Sequence, residues 1–117
     1  MGLLEELKEL GVSVDEGLDR LGGNQSLYER LLGSFLKTME THGTTPDFDT
    51  TDLTDVIEKT HAIKGTSGNL SITPMYEAYT EIVALLRAGK PEEAKEVLVK
   101  IQPVQEKIIQ CIEKYSK

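Results

Sequence analysis

Helical spacing of apolar residues, repeated in one segment after another, is the feature that most restricts what this chain can fold into. Leu27, Leu31, Leu32, Phe35, Leu36 and Met39 recur at steps of three and four, which places them on one face of a helix. The same spacing returns in Leu53, Val56, Ile57, Thr60, Ile63, Ser67 and Leu70, and again in Met75, Ala78, Tyr79, Ile82, Leu85 and Leu86. It returns a fourth time in Ala94, Val97, Leu98, Ile101, Val104, Ile108, Ile112 and Tyr115. No segment alternates apolar and polar residues over the length of a strand, so nothing argues for a sheet. Four amphipathic helices in succession each have a stripe to bury, and one shared core is the economical solution. The expected class is all-α, an antiparallel four-helix bundle. Two shorter patterns precede it, Leu3, Leu4, Leu7 and Leu10, then Val14, Leu18 and Leu21, and these N-terminal helices are expected to cap one end.

Punctuation between the stripes agrees with this division. Gly11 stops the first helix, and Ser13 with Glu16 three residues later has the form of a capping box for the second. Asn24 or Ser26 is suited to cap the third, which should run to about Glu40. The stretch from Thr41 to Thr51, containing HGTTPDFDT, is rich in Thr, Asp, Gly and Pro and has no period, so it reads as a loop with His42 as a solvated residue. Thr51 or Asp52 caps the next helix, which ends near Leu70. Thr73-Pro74 reads as a cap with proline at the first helical position, and Gly89 as a left-handed terminator. Lys90-Pro91-Glu92-Glu93 opens the last helix, where Pro103 is expected to kink or break the chain near Val99.

Composition narrows the function classes. A chain of 117 residues is the size of one domain, taken as 1–117. Twenty acidic against thirteen basic residues leave a formal charge of -7, a field that repels a phosphate backbone, so nucleic acid is not expected as a partner. The lysines at 100, 107, 114 and 117 form no dense run and read as a solvated helix face. The one cysteine, Cys111, lies in a helical pattern among apolar residues, which excludes an internal disulfide and a cysteine-rich zinc site. No apolar run is long enough to span a bilayer and no leader-like start is present, so neither membrane insertion nor secretion is expected, and the simplest location is cytoplasmic. A monomer is expected.

One residue does not fit a purely structural account. His61 lies beside the stripe of its helix rather than on it, so its imidazole should reach solvent. Gly65 and Gly68, four and seven residues on, share its face, although each glycine inside a helix costs about 1 kcal/mol relative to alanine. Missing side chains leave the imidazole uncovered and let a partner approach the helix backbone. Lys64, one turn on, can hold an ammonium beside any anion carried by His61. Each of these has an ordinary explanation as a surface residue or a packing glycine. Together, as HAIKGTSGNL from His61 to Leu70, they offer a nucleophile, a neutralising charge and a cleared surface.

On these residues the chain resembles the histidine-containing phosphotransfer (HPt) domain family, whose signature is a mid-helix His-x-x-Lys-Gly followed by small residues. The resemblance extends to GLDRLGGNQSLYERLLGSFL from Gly17 to Leu36 and to MYEAYTEIVALLRAGK from Met75 to Lys90, and covers roughly residues 14–115. It implies a four-helix bundle in which His61 accepts a phosphoryl group, Lys64 steadies it, and Gly65 and Gly68 clear the surface for a partner. The implied partners are response-regulator receiver domains and a hybrid sensor histidine kinase. The chain would then be a phosphoryl carrier rather than an enzyme, with no cofactor of its own, since the receiver supplies the aspartate and Mg²⁺. Imidazole in its neutral form is nucleophilic without a separate base, and no nucleotide-binding loop is needed.

Three departures from the family pattern bear on the site. Ser71 stands where a glycine is common after Asn69-Leu70. Val83 stands twenty-two positions after the histidine, where many members carry a Gln or Glu that orients the ring. The loop from His42 to Thr51 follows no family pattern. Two other functions compete: a relative that docks receivers without carrying phosphate, and the phosphoacceptor part of a larger chemotaxis-type kinase. A metal-binding bundle is disfavoured, because the chain has no pair of Glu-x-x-His motifs and no second inward histidine.

Overall fold

A computed structural model describes residues 2–115. It is all-helical, with six helices and no strand among the described residues: α1 Leu3–Glu9, α2 Val14–Arg20, α3 Gln25–His42, α4 Thr54–Asn69, α5 Thr73–Arg87 and α6 Pro91–Tyr115. The long helices have the expected stripes inside. Tyr28, Leu32 and Phe35 of α3, Ile63 of α4, Met75, Tyr79, Ile82 and Leu86 of α5, and Ala94, Leu98 and Ile108 of α6 are all essentially solvent-free. A fully buried side chain of this kind contributes roughly 1.5–3 kcal/mol, so this one cluster is the main source of stability. α4 packs along α5, α5 along α6, and α3 touches both α4 and α6. α1 lies on α6 and buries Leu7 in the same core cluster as Ile112. No helix of the described residues is long and apolar enough to cross a membrane.

Several ends fall where the local chemistry placed them. The Asn24 carboxamide accepts from the Leu27 amide at 3.0 Å, capping α3, and the Asp52 carboxylate accepts from the Thr54 amide at 3.0 Å at the start of α4. Gly89 ends α5 with φ +75°.

Others differ for tertiary reasons. Ser13 forms no capping bond with α2; its hydroxyl instead meets that of Thr73 at 2.7 Å, and Glu16 pairs with Arg20 at 3.5 Å. Thr73 is itself the first residue of α5, after Ile72, and its hydroxyl donates to the Ser71 carbonyl. α3 continues through His42, whose Nδ1 lies 2.7 Å from the Thr41 hydroxyl, so this histidine ends a helix rather than floating in the loop. α6 runs through Pro103 as one helix. Pro103 and Val99, one turn before it, both face water, where hydration substitutes for the missing amide partner. Tyr115, expected in the core stripe, is 36% exposed at the end of α6. The loop 43–53 is held through Phe48, half-buried against the core with the Lys95 ammonium 5.3 Å above its ring.

Candidate functional site

The site is built on the hairpin of α4 and α5. Val56, Thr60, Ile63 and Ser67 point α4 into the core, and the Thr60 hydroxyl is satisfied by the Val56 carbonyl at 2.7 Å. That orientation leaves His61 and Gly65 exposed and Lys64 and Gly68 half-exposed on the adjoining face. All four line one open cleft of about 630 Å³. Its other walls come from α2, through Glu16 and Arg20, and from the start of α5, through Thr73, Tyr76 and Glu77, with Asn69 and Ser71 at the turn.

The four residues expected at the site are therefore together, but the two glycines are not equivalent. A Cβ built on Gly65 meets nothing within 4 Å, so no internal contact requires glycine there. A Cβ on Gly68 would lie 2.8 Å and 2.9 Å from ring atoms of Tyr76, so that glycine seats an aromatic ring. The clearance expected at Gly68 is thus filled by this chain's own Tyr76, and the bare surface beside His61 is at Gly65. Lys64 takes part in none of the six ion pairs among the described residues, while Arg20 in the same cleft is engaged by Glu16. The ammonium of Lys64 is the cation of the cleft that is left for an incoming anion.

The far end of the cleft is locked by α2 and α3. Arg20 donates through one guanidinium nitrogen to the Gly68 carbonyl and to the Ser71 hydroxyl, the latter at 2.8 Å. The Ser13 amide donates to the Ser71 carbonyl at 2.9 Å, and the Tyr28 hydroxyl to the Leu70 carbonyl at 2.8 Å. Gly17 packs so closely on Tyr28 and the Leu70 carbonyl that a Cβ there would lie 2.6 Å and 2.9 Å from them. The Leu70 and Ser71 carbonyls, just past the end of α4, find partners in this way, and the Gly68 carbonyl gains a second one beside the Ser71 amide. These bonds also hold Ser71 at φ +55°, the left-handed conformation usually filled by glycine. A serine is kept there, buried, with its hydroxyl bonded to Arg20.

Val83 is 2% exposed and belongs to the interior of α5, not to the cleft. An apolar residue is what that buried position demands. Arg20, Tyr76 and Glu77 are among the cleft residues that sequence reasoning did not single out. For Tyr76 a signal existed, a large aromatic one position off the stripe of Met75 and Tyr79. For Arg20 none did, because its role depends on α2 folding back onto a turn some fifty residues away. The single cysteine, Cys111, is buried in α6, and burial raises its thiol pKa. Among the described residues no three His, Cys, Asp or Glu side chains are grouped to hold a metal ion. Compared with protein-family models, with curated proteins and with solved structures, the chain finds no match.

Proposed function

We propose that this chain is a phosphoryl carrier of the HPt type, a four-helix bundle of α3 to α6 whose His61 takes a phosphoryl group from one receiver domain and yields it to another. The observation that carries the reading is the exposed imidazole flanked by Gly65, which no internal packing requires, and by Lys64, an ammonium with no carboxylate partner among the described residues. A histidine that was merely on the surface would need neither. The bundle reading is supported by the closed cycle of contacts from α3 to α4, α5, α6 and back to α3.

The chemistry asked of the chain is small. With the ring presented to an aspartyl phosphate, the lone pair of a neutral imidazole nitrogen forms the N–P bond as the acyl P–O bond breaks, and the aspartate leaves as carboxylate. The other ring nitrogen gives its proton to water afterwards. Lys64, one turn along the same face, stands beside the transferred dianion and opposes its charge. Gly65 lets the partner's reacting group come within bonding distance of the ring. Mg²⁺ bound by the receiver would neutralise the phosphoryl oxygens during transfer. The carrier itself supplies a positioned nucleophile and a cation, and the partners in this reading are receiver domains and a hybrid sensor histidine kinase in the cytoplasm.

The test is incubation with a panel of isotopically phosphorylated receiver domains. The wild type should acquire a label that is acid-labile and base-stable, and His61→Gln should acquire none while keeping its helical circular dichroism. Label of equal amount on His61→Gln, or a wild type that no phosphorylated receiver labels, overturns the proposal.

A further inference from the structure

Three large hydrophobic side chains are conspicuously exposed among the described residues, Val99 at 54%, Tyr76 at 41% and Tyr115 at 36%. Tyr76 alone of these lies in the cleft with His61. Its ring rests on α4 at Gly68, so closely that any side chain there would push it away. Gly68 is seven residues after His61, two turns along the same face, which separates the ring's seat from the histidine by about 10 Å. One side of a standard protein interface covers about 800 Å², a patch of roughly 16 Å radius. A partner centred on His61 therefore covers Tyr76 as well.

From this we infer that Tyr76 is a specificity-determining residue, the aromatic anchor on which a receiver domain lands when it reaches His61. The inference rests on the phosphotransfer reading. Glycine is unfavourable inside a helix, and at Gly68 its one visible return is the seat for this ring. The seat holds one edge of a half-exposed phenol against the helix before any partner arrives, so little side-chain freedom is lost on binding. A large ring whose hydroxyl makes no hydrogen bond among the described residues is the kind of group on which interface energy concentrates. Lys64 and Tyr76 divide the cleft between them, a cation for the phosphoryl group and a ring for apolar contact.

The experiment is single-turnover transfer from a phosphorylated receiver as a function of carrier concentration, with chemical phosphorylation by phosphoramidate as a receiver-free control. Tyr76→Ala should raise the half-saturating concentration about tenfold or more, the loss usual for an aromatic anchor, while the saturated rate and phosphoramidate labelling stay at wild-type values. Tyr76→Phe should stay within about threefold of wild type, since the ring carries the contact. Gly68→Ala should also raise the half-saturating concentration, at unchanged or higher thermal stability, because it displaces the ring without weakening the helix. An unchanged half-saturating concentration for Tyr76→Ala overturns the inference, as does a fall confined to the saturated rate. A wild type that no phosphorylated receiver labels is a different result: it removes the phosphotransfer reading, and the anchor with it.

Discussion

Replacing Tyr28 by phenylalanine tests the joint between α3 and the turn that closes the cleft. The ring is wholly buried, and its hydroxyl donates to the Leu70 carbonyl at 2.8 Å. Deleting the hydroxyl removes a neutral hydrogen bond and strands a carbonyl that Gly17 shields from water; the two effects together cost about 2 kcal/mol at neutral pH. For a domain of this size that lowers the thermal midpoint by roughly 6–12 °C. The pH dependence is more discriminating. Burial pushes the Tyr28 phenol up to about 12 from an ordinary value of 10. Below the unfolded value both states hold the proton and the contribution is complete. Between the two values the unfolded chain has released it and the folded chain has not, so stability falls as pH rises, by about 1 kcal/mol per pH unit. Phenylalanine has no proton to lose. The stability gap between wild type and Tyr28→Phe should therefore stay constant up to about pH 10 and then shrink, closing between about pH 11 and 12. Tyr79, also pushed up by burial, titrates in both proteins and cancels in the difference, as do the lysines. Urea unfolding followed by circular dichroism at neutral pH and at half-unit steps through the alkaline range measures the gap directly. A gap of about 2 kcal/mol that does not change with pH refutes the desolvation argument. A negligible gap at neutral pH refutes the hydrogen bond itself.

Two further substitutions probe α4. Lys64→Ala should slow transfer to His61 or shorten the phosphohistidine lifetime by roughly 3–30-fold, the loss of one charge-assisted contact to a dianion, and quench-flow with a label-decay series reads both; unchanged values would assign Lys64 to solvent alone. Ser67→Ala should raise stability by about 1 kcal/mol, because the Ser67 hydroxyl is buried with no hydrogen-bond partner and alanine is the better helix former. A lower unfolding midpoint would show that the hydroxyl is satisfied after all.

The helices and their inward faces were legible because period and burial are local properties: the stripe from Val56 to Leu70 read from spacing is the stripe found buried. The grouping of His61, Lys64, Gly65 and Gly68 was legible for the same reason, since all four lie on one helix. What could not be read depends on which other element arrives. Gly65 and Gly68 look alike in the sequence, yet one faces open space and the other is covered by a residue of α5. Ser13 has the sequence context of a cap, and its hydroxyl is taken instead by Thr73, sixty residues on. Val83 drew notice for lacking a polar group toward His61, but its burial makes an apolar side chain the ordinary choice.

The smallest piece of this chain that could carry the His61 surface is larger than the hairpin that bears it. Hydrogen bonds from Ser13, Arg20 and Tyr28 all end within residues 68–73. A fragment trimmed to begin after Arg20 would retain every long helix, yet the Ser71 carbonyl would lose the Ser13 amide and the Gly68 carbonyl and Ser71 hydroxyl would lose the guanidinium. The left-handed serine would then have fewer bonds holding it, and the cleft would be missing a wall. Domain boundaries drawn around the long helices alone would cut through the site.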